Sequence, residues 1–399
     1  MSLSFVSHGG KRIPMTSLHI QPGDPLIYDI TLSDDLTVTP SAYSVLTGEL
    51  MIDISGTYLI HASARSTDIQ GSPAIALEVN DIVVDYNKSS TPSTDISVTS
   101  VVDMVQGDIV RVANAGSTYL STKSVGHDES KYYLSATYIP NAESVLYTGD
   151  TSTGIILPGQ PVRYNILTSD TLLYSQYNSS TGEFIVTDPS GVGFYMIVAS
   201  VKALVHKNDT IEIDINKNGV IESQDFHALK SDSRVRICGI IYMNLNDYLT
   251  VTCSHKCSVP SSEYRFNAIK LTGTGLQCKN GSVIDGKTLV YDNPVINEFG
   301  TSRYASSVLN VDSSGTYIVQ ARAKVLQPAF PGECDKVIYL TKNGIRISQC
   351  RQKVYERESG SMVISCVVDL YPSDKLVVSL SGSGEQIVVP SSLTFIKIT

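Results

Sequence analysis

Gly56-Thr57-Tyr58-Leu59-Ile60-His61-Ala62 returns as Gly193-Phe194-Tyr195-Met196-Ile197-Val198-Ala199, and again as Gly315-Thr316-Tyr317-Ile318-Val319-Gln320-Ala321. Each run opens on glycine, carries Tyr in third place and continues through residues that favour strands. Alternation sets Tyr58, Ile60 and Ala62 on one face, the pattern of a half-buried strand. A strand copied three times predicts a repeated all-β module, and its surroundings extend the repeat.

Upstream lie a turn and a Tyr-bearing strand: Pro22-Gly23-Asp24-Pro25-Leu26-Ile27-Tyr28, then Pro158-Gly159-Gln160-Pro161-Val162-Arg163-Tyr164, and a looser Asp285-Gly286-Lys287-Thr288-Leu289-Val290-Tyr291. Downstream come hairpin turns at Asn80-Asp81, Asn218-Gly219 and Asn343-Gly344, where both turn residues must tolerate positive φ. A fourth block is an acidic turn before a strand: Gly107-Asp108-Ile109-Val110, Asn246-Asp247-Tyr248-Leu249 and Ser373-Asp374-Lys375-Leu376. The blocks keep their order and their spacing drifts by a few residues, as loop-length variation on one fold would give. Closing strands at 132–139, 264–271 and 393–398 and breaker-rich joins at 140–143 and 272–275 divide the chain into 1–142, 143–273 and 274–399. Short strands with turn signals every few residues predict antiparallel β-sandwiches of the jelly-roll kind.

Bulk composition agrees. A chain of 399 residues exceeds one ordinary core, and 42% hydrophobic with 17% charged residues is globular. A net charge of −9 with no Lys/Arg run excludes binding to a nucleic-acid backbone or adsorption to an anionic membrane. The first residues lack the apolar core of a secretory signal, and no apolar run is long enough for a spanning helix. The expectation is a protein without membrane insertion.

The module resembles the tumour-necrosis-factor and complement globular-head superfamily. The residues that carry this are Tyr177-Asn178, Thr181-Gly182-Glu183-Phe184, Pro189 and Gly193-Phe194-Tyr195. Thr47-Gly48-Glu49-Leu50 with Gly56-Thr57-Tyr58 repeats them, and the third copy keeps Gly315-Thr316-Tyr317. The resemblance implies a ten-stranded jelly roll, trimerisation about a three-fold axis with aromatic residues nearby, and recognition by loops rather than catalysis. Tyr28, Tyr58, Tyr164, Tyr195, Tyr291 and Tyr317 are the aromatic residues expected in the core or at an oligomer contact. The chain has no collagen-like stalk, which turns the reading from animal complement or cytokine toward virion proteins.

Four motifs compete with this picture. Gly281-Ser282-Val283-Ile284-Asp285-Gly286-Lys287-Thr288 fits the phosphate-loop spacing, but Leu289-Val290-Tyr291 continues as strand where that loop needs a helix. Asp214, Asn216, Asn218 and Asp225 fall at calcium-loop spacing, while Ile211, Ile213 and Ile215 alternate as a strand would, so a plain hairpin is expected. If calcium is a cofactor, those four are its ligands; no other cofactor is expected. Cys253-Ser254-His255-Lys256-Cys257, with Cys238 and Cys278, offers one C-x₃-C where zinc usually takes two knuckles, so a loop with spare thiols is expected. The seven cysteines all follow residue 237 and read as mainly reduced; Cys334 and Cys350 flank the third hairpin as one candidate disulfide, but their estimated register is off by a few residues. Sequons at Asn87, Asn178, Asn208 and Asn280 are read as chance.

No catalytic constellation is legible. The expected function is therefore a non-enzymatic structural or attachment protein of a virus particle, a spike, fibre or capsid decoration located in the virion. Its expected partners are itself, as a homotrimer or as a pseudo-trimer within one chain, other virion proteins, and a host-surface glycan or protein. A microbial adhesin is the alternative.

Overall fold

A computed structural model describes the chain from residue 4 to 398, apart from 9–19, 29, 35–42, 45, 67–72, 89–94, 122–131, 140–141, 150–153, 205–208, 230–232, 263, 285–287, 300–303, 306–307, 327–333, 355–358 and 383–386. Among the described residues the secondary structure is strand, with one 3₁₀ turn at Pro189–Gly191. All the strand pairs are antiparallel. The chain forms two compact units, Asn141–Gly273 and the remainder, residues 1–140 with 274–399.

In the Asn141–Gly273 unit, one sheet runs Ile166–Asp170, Glu143–Thr148, Arg265–Leu271, Gly193–Ala203, Ser233–Met243, with Cys257–Ser258 also on the Gly193 strand. The facing sheet runs Ser175–Asn178, Glu183–Val186, Tyr248–Cys253, Asp209–Lys217, Val220–Leu229. This is a jelly-roll sandwich: consecutive stretches of chain alternate between the two layers, and Tyr164, Phe184, Tyr195, Ile213 and Phe266 fill the space between them.

Within the other unit, residues 1–140 show the same two strand orders. One sheet is Leu120–Ser121, Gly56–Ser66, Tyr133–Ile139, Ser4–His8, Ile30–Asp34, with Asp95–Met104 on the Gly56 strand. The other is Tyr43–Ser44, Glu49–Met51, Ile109–Asn114, Ala74–Val79, Ile82–Lys88. Residues 274–399 depart from a two-sheet sandwich in one respect. Thr288 pairs with Ser379 and joins both layers into one ten-stranded sheet. On either side of that single bridge the order of the main strands is again the same: Thr288–Asn297, Thr274–Ile284, Ile387–Lys397, Gly315–Leu326, Ser359–Leu370 facing Tyr304–Ala305, Val308–Asn310, Lys375–Gly382, Cys334–Lys342, Ile345–Val354. Each stretch encloses its own apolar core.

Local chemistry explains the recurring signatures. Gly48 and Gly182 have φ of 72° and 76°, and a Cβ there would meet Leu26 O at 2.8 Å or Val162 O at 2.5 Å. Only glycine allows this turn to lie against the segment that carries Leu26 and Tyr28, or Val162 and Tyr164, which precedes the strands at Ile30 and Ile166 rather than forming one as expected. The preceding threonine holds the following glutamate: Thr47 Oγ1 donates to Glu49 Oε2 at 2.9 Å and Thr181 Oγ1 to Glu183 Oε2 at 3.0 Å. The Thr-Gly-Glu motif is thus one turn and its brace.

The six tyrosines lie inside the sandwiches. Tyr28 Oη donates to Ser63 O at 3.0 Å and Tyr164 Oη to Ser200 O at 3.1 Å. Tyr58, Tyr195 and Tyr317 donate to the carbonyl four residues back, of Ile54, Gly191 and Ser313, at 2.7, 2.7 and 3.0 Å. Burial pushes the Tyr28 and Tyr164 hydroxyls well above their ordinary value and the Tyr58 hydroxyl up to about 12, so all three stay neutral donors. Each ring fills the core of its own sandwich, and Tyr28, Tyr58, Tyr164, Tyr195 and Tyr317 satisfy their hydroxyls there as well.

The sheets containing the glycine-led strands carry apolar residues on both faces. Phe194, Met196, Val198, Ile240, Ile269 and Leu271 lie outside the unit's core cluster, on the opposite face of their sheet. The corresponding face around Gly56–Ser66 is mixed: Leu59 and Val101 accompany Thr57, whose Oγ1 donates to Asp103 at 2.6 Å, and His61, within 2.8 Å of Thr99 Oγ1. Around Gly315–Leu326, Ile318 and Ile396 accompany Thr316, bonded to Asp369 at 2.6 Å.

Candidate functional site

Two of the recurring blocks, far apart in sequence, meet at one end of each sandwich. Asn218 and Gly219 have φ of 51° and 79°, and Asn343 and Gly344 repeat those values, so both central residues of each hairpin turn are left-handed. Asn80 and Asp81 do the same without glycine, at 50° and 64°. Asn218 Nδ2 donates to Asp247 Oδ1 at 2.6 Å while its own Oδ1 accepts from Tyr248 N at 3.0 Å. Asp247 Oδ2 in turn accepts from Asn244 N at 2.7 Å. The same three bonds recur in the other two: Asn80 is joined to Asp108 and Ile109 N, with Asp108 accepting from Val105 N, and Asn343 is joined to Asp374 and Lys375 N, with Asp374 accepting from Tyr371 N, at 2.6–2.9 Å.

The second and third clamps add a cation. Lys217 Nζ lies 2.9 Å from Asp247 Oδ2 and donates to Tyr242 O, and Lys342 Nζ lies 3.0 Å from Asp374 Oδ2 and donates to Asp369 O. Val79 holds this place in the first clamp, directly before its hairpin turn, as Lys217 and Lys342 do before theirs. Burial works to raise the Asp247 and Asp374 carboxyls. Hydrogen bonds from lysine, asparagine and backbone N–H overcome it and leave both below the ordinary carboxylate value.

On this rigid base each tip holds out aliphatic side chains. Ile82, Val220 and Ile345, each next to its turn, are 69%, 64% and 61% exposed. Val83 and Val105 stand beside the first, Ile221 and Leu245 beside the second, and Tyr371 beside the third, all exposed. Exposed apolar groups are ordinary when scattered. Here they stand together on a hydrogen-bonded platform at the end of each sandwich.

The other motifs fall as follows. Asp214, Asn216, Asn218 and Asp225 lie on the hairpin of Asp209–Lys217 and Val220–Leu229. Asp225 is opposite Ile213 and Asp214 opposite Gln224, so the two carboxylates project to opposite faces of the ladder. Asn216 Nδ2 is bonded to Thr252 Oγ1 and Asn218 to Asp247. Gly281–Ile284 and Thr288–Tyr291 are the two arms of a hairpin, Ile284 opposite Thr288, and residues 285–287 lie outside the described residues. The Cys334–Cys350 disulfide does not stand: Cys334 faces Val354 and Cys350 faces Ile338. Four positions of offset put about 13 Å between them along the ladder, beyond any disulfide. Among the described residues no three His, Cys, Asp or Glu side chains converge as a metal would require.

The clamp was missed in sequence although both halves were legible, because an Asn in one block and an Asp in another do not announce that they touch. The signal was their joint recurrence, with lysine preceding two of the three asparagines.

No protein-family model matches the chain, and no curated protein matches it by sequence. Among solved structures it is similar to the Eiger TNF of S. frugiperda, at 16% identity and a TM-score of 0.28 over 33% of this chain and 93% of that one. It is also similar to murine APRIL, at 11% identity and 0.27 over 33% and 100%, and to the globular domain of zebrafish complement 1qA protein, at 16% and 0.25 over 35% and 96%. Each of these likenesses spans about one third of this chain and nearly the whole of the other.

Proposed function

We propose that this chain is a non-enzymatic assembly and attachment protein made of three tandem copies of one jelly-roll module, spanning 1–142, 143–273 and 274–399. The observation that carries the reading is the thrice-built tip: two turns locked by Asn–Asp hydrogen bonds, presenting aliphatic side chains to solvent. A preorganised apolar surface binds with little ordering cost, and it offers nothing that transfers a proton. The repeated strand orders support the copying.

The finer reading is a structural or attachment protein of a virus particle, a spike, fibre or capsid decoration that binds other virion proteins or a host-surface protein. Repetition of one head along a single acidic chain supports it. Aliphatic tips favour a protein partner, because apolar side chains gain by covering apolar surface. Mass spectrometry of purified particles from the source organism is expected to find the chain, and its absence would overturn the particle reading. On those particles or on host cells, Ile82→Asp, Val220→Asp and Ile345→Asp together are expected to abolish binding while the chain melts as before.

Tyr371 favours a second reading, a microbial adhesin, since it is the exposed aromatic ring at the third tip and rings suit sugar faces. Binding of the isolated protein to a glycan array, lost in Tyr371→Ala, would put that reading first. Turnover on a broad substrate panel would remove both.

A further inference from the structure

Cys253 and Cys257 stand where the chain of the Asn141–Gly273 unit passes from one layer of its sandwich to the other. Cys253 ends a strand of the five-stranded sheet, opposite Ile213, and Cys257 begins a strand of the six-stranded sheet, opposite Ala203. Both belong to the same core cluster, 2% and 0% exposed, and the thiols are hydrogen-bonded to one another. Between them runs Ser254-His255-Lys256, with Ser254 and Lys256 exposed.

Residues 1–140 show what this crossing requires. There Asn114 holds the place of Cys253, ending its strand opposite Ile75, and Leu120 holds the place of Cys257, opposite Ser66. The buried Asn114 amide donates to Ile20 O at 2.9 Å and to Thr118 O at 2.8 Å, tying the strand end to the backbone at the far layer. Ile20 is the residue bridged to Leu120, as Ile156 is bridged to Cys257. In the Asn141–Gly273 unit the tie is thus replaced by two facing thiols. A thiol is a weak donor, so the reduced pair holds the crossing less firmly than an amide would.

We propose that Cys253 and Cys257 are a disulfide-forming pair, closed by a small-molecule disulfide such as oxidised glutathione, and that the bond ties the two layers of this sandwich where Asn114 ties its counterpart. The Cys253 thiol gives its proton to solvent, and its sulfur attacks one sulfur of the reagent, expelling half of it as a thiolate. The Cys257 sulfur, its proton also lost to solvent, attacks the Cys253 sulfur of this mixed disulfide and expels the second half. The two cysteines lose two electrons and two protons, and the reagent disulfide becomes two thiols. Cys253 is the first attacker. Hydrogen bonds from the Cys257 thiol and the His255 N–H hold it below the ordinary thiol value against the effect of burial, and donating that bond raises Cys257. Cys278 and Cys366, buried singly, are both pushed up to about 12 by burial and are inert by comparison.

Peptide mapping of the full chain tests this. The native protein is incubated with oxidised glutathione, then denatured, alkylated and digested. The peptide carrying both cysteines is expected to resist alkylation and to be lighter by two hydrogen atoms, with dithiothreitol restoring both thiols and the oxidised chain melting higher. Cys257→Ser is expected to trap glutathione on Cys253. If that variant fails to fold, the wild-type map decides alone. Two alkylatable thiols after oxidation, a glutathione adduct persisting on wild-type Cys253, or a lower melting temperature on oxidation would each overturn the proposal.

Discussion

Asp247 concentrates the chemistry of its clamp in one carboxylate, which accepts from Lys217, from the Asn218 amide and from Asn244 N. Asp247→Ala leaves those donors without their acceptor in a half-buried place, a loss of about 2–3 kcal/mol measurable by denaturant unfolding. Asp374→Ala is the same experiment on the third clamp, with Lys342 as the stranded cation. Because both carboxyls are depressed in the folded chain, their contribution is present above the unfolded value near 4 and is lost as pH falls through the lower folded value. Melting temperature is therefore expected to hold from neutral pH to about 5 and to drop below about 4, and Asp247→Asn is expected to shrink that drop. A melting curve flat down to the most acidic pH would remove the clamp as a source of stability. Tyr195→Phe deletes one hydroxyl that donates to Gly191 O and faces Ser175 Oγ, at a cost of about 1 kcal/mol.

Among elements, turns carry the specificity. Gly182→Ala forces a Cβ against Val162 O at a left-handed φ, so it is expected to destabilise by about 1–3 kcal/mol in thermal unfolding. Gly159→Ala is the control: its φ is similar, 74°, but its Cβ would meet nothing within 4 Å. The smaller loss there isolates the steric part. The Asp209–Leu229 hairpin splits the calcium-spaced residues between two faces and commits Asn218 to the clamp, so calcium at about 1 mM is expected to leave melting unchanged. A rise would show that the hairpin opens to bind it. Turns of this kind were legible in advance because their demands are local: positive φ selects Asn and Gly, and alternation selects strand. Cross-strand register was legible only to within a few residues: Cys334 and Cys350 were expected to be off register by a few, and they miss each other by four positions. The turn sets three of those positions and the bulge between Leu340 and Thr341 adds the fourth, and a bulge has no reliable sequence mark.

For the molecule as a whole, the same pair of strand orders recurs in residues 1–140, 141–273 and 274–399. Light scattering separates the two forms of self-association: the mass of one chain, 43.2 kDa, is expected of a pseudo-trimer and three times that mass of a homotrimer. The sequence by itself determined the strand class, the turn positions and the recurrence of four blocks, since these rest on side-chain alternation and backbone φ within a few residues. Only the tertiary structure decided that an asparagine turn and an aspartate turn lock together, that Thr288 and Ser379 join two layers, and that two cysteines meet where the chain changes sheets. Those are contacts between residues distant in the chain, and nothing local in either partner encodes the closure that brings them together.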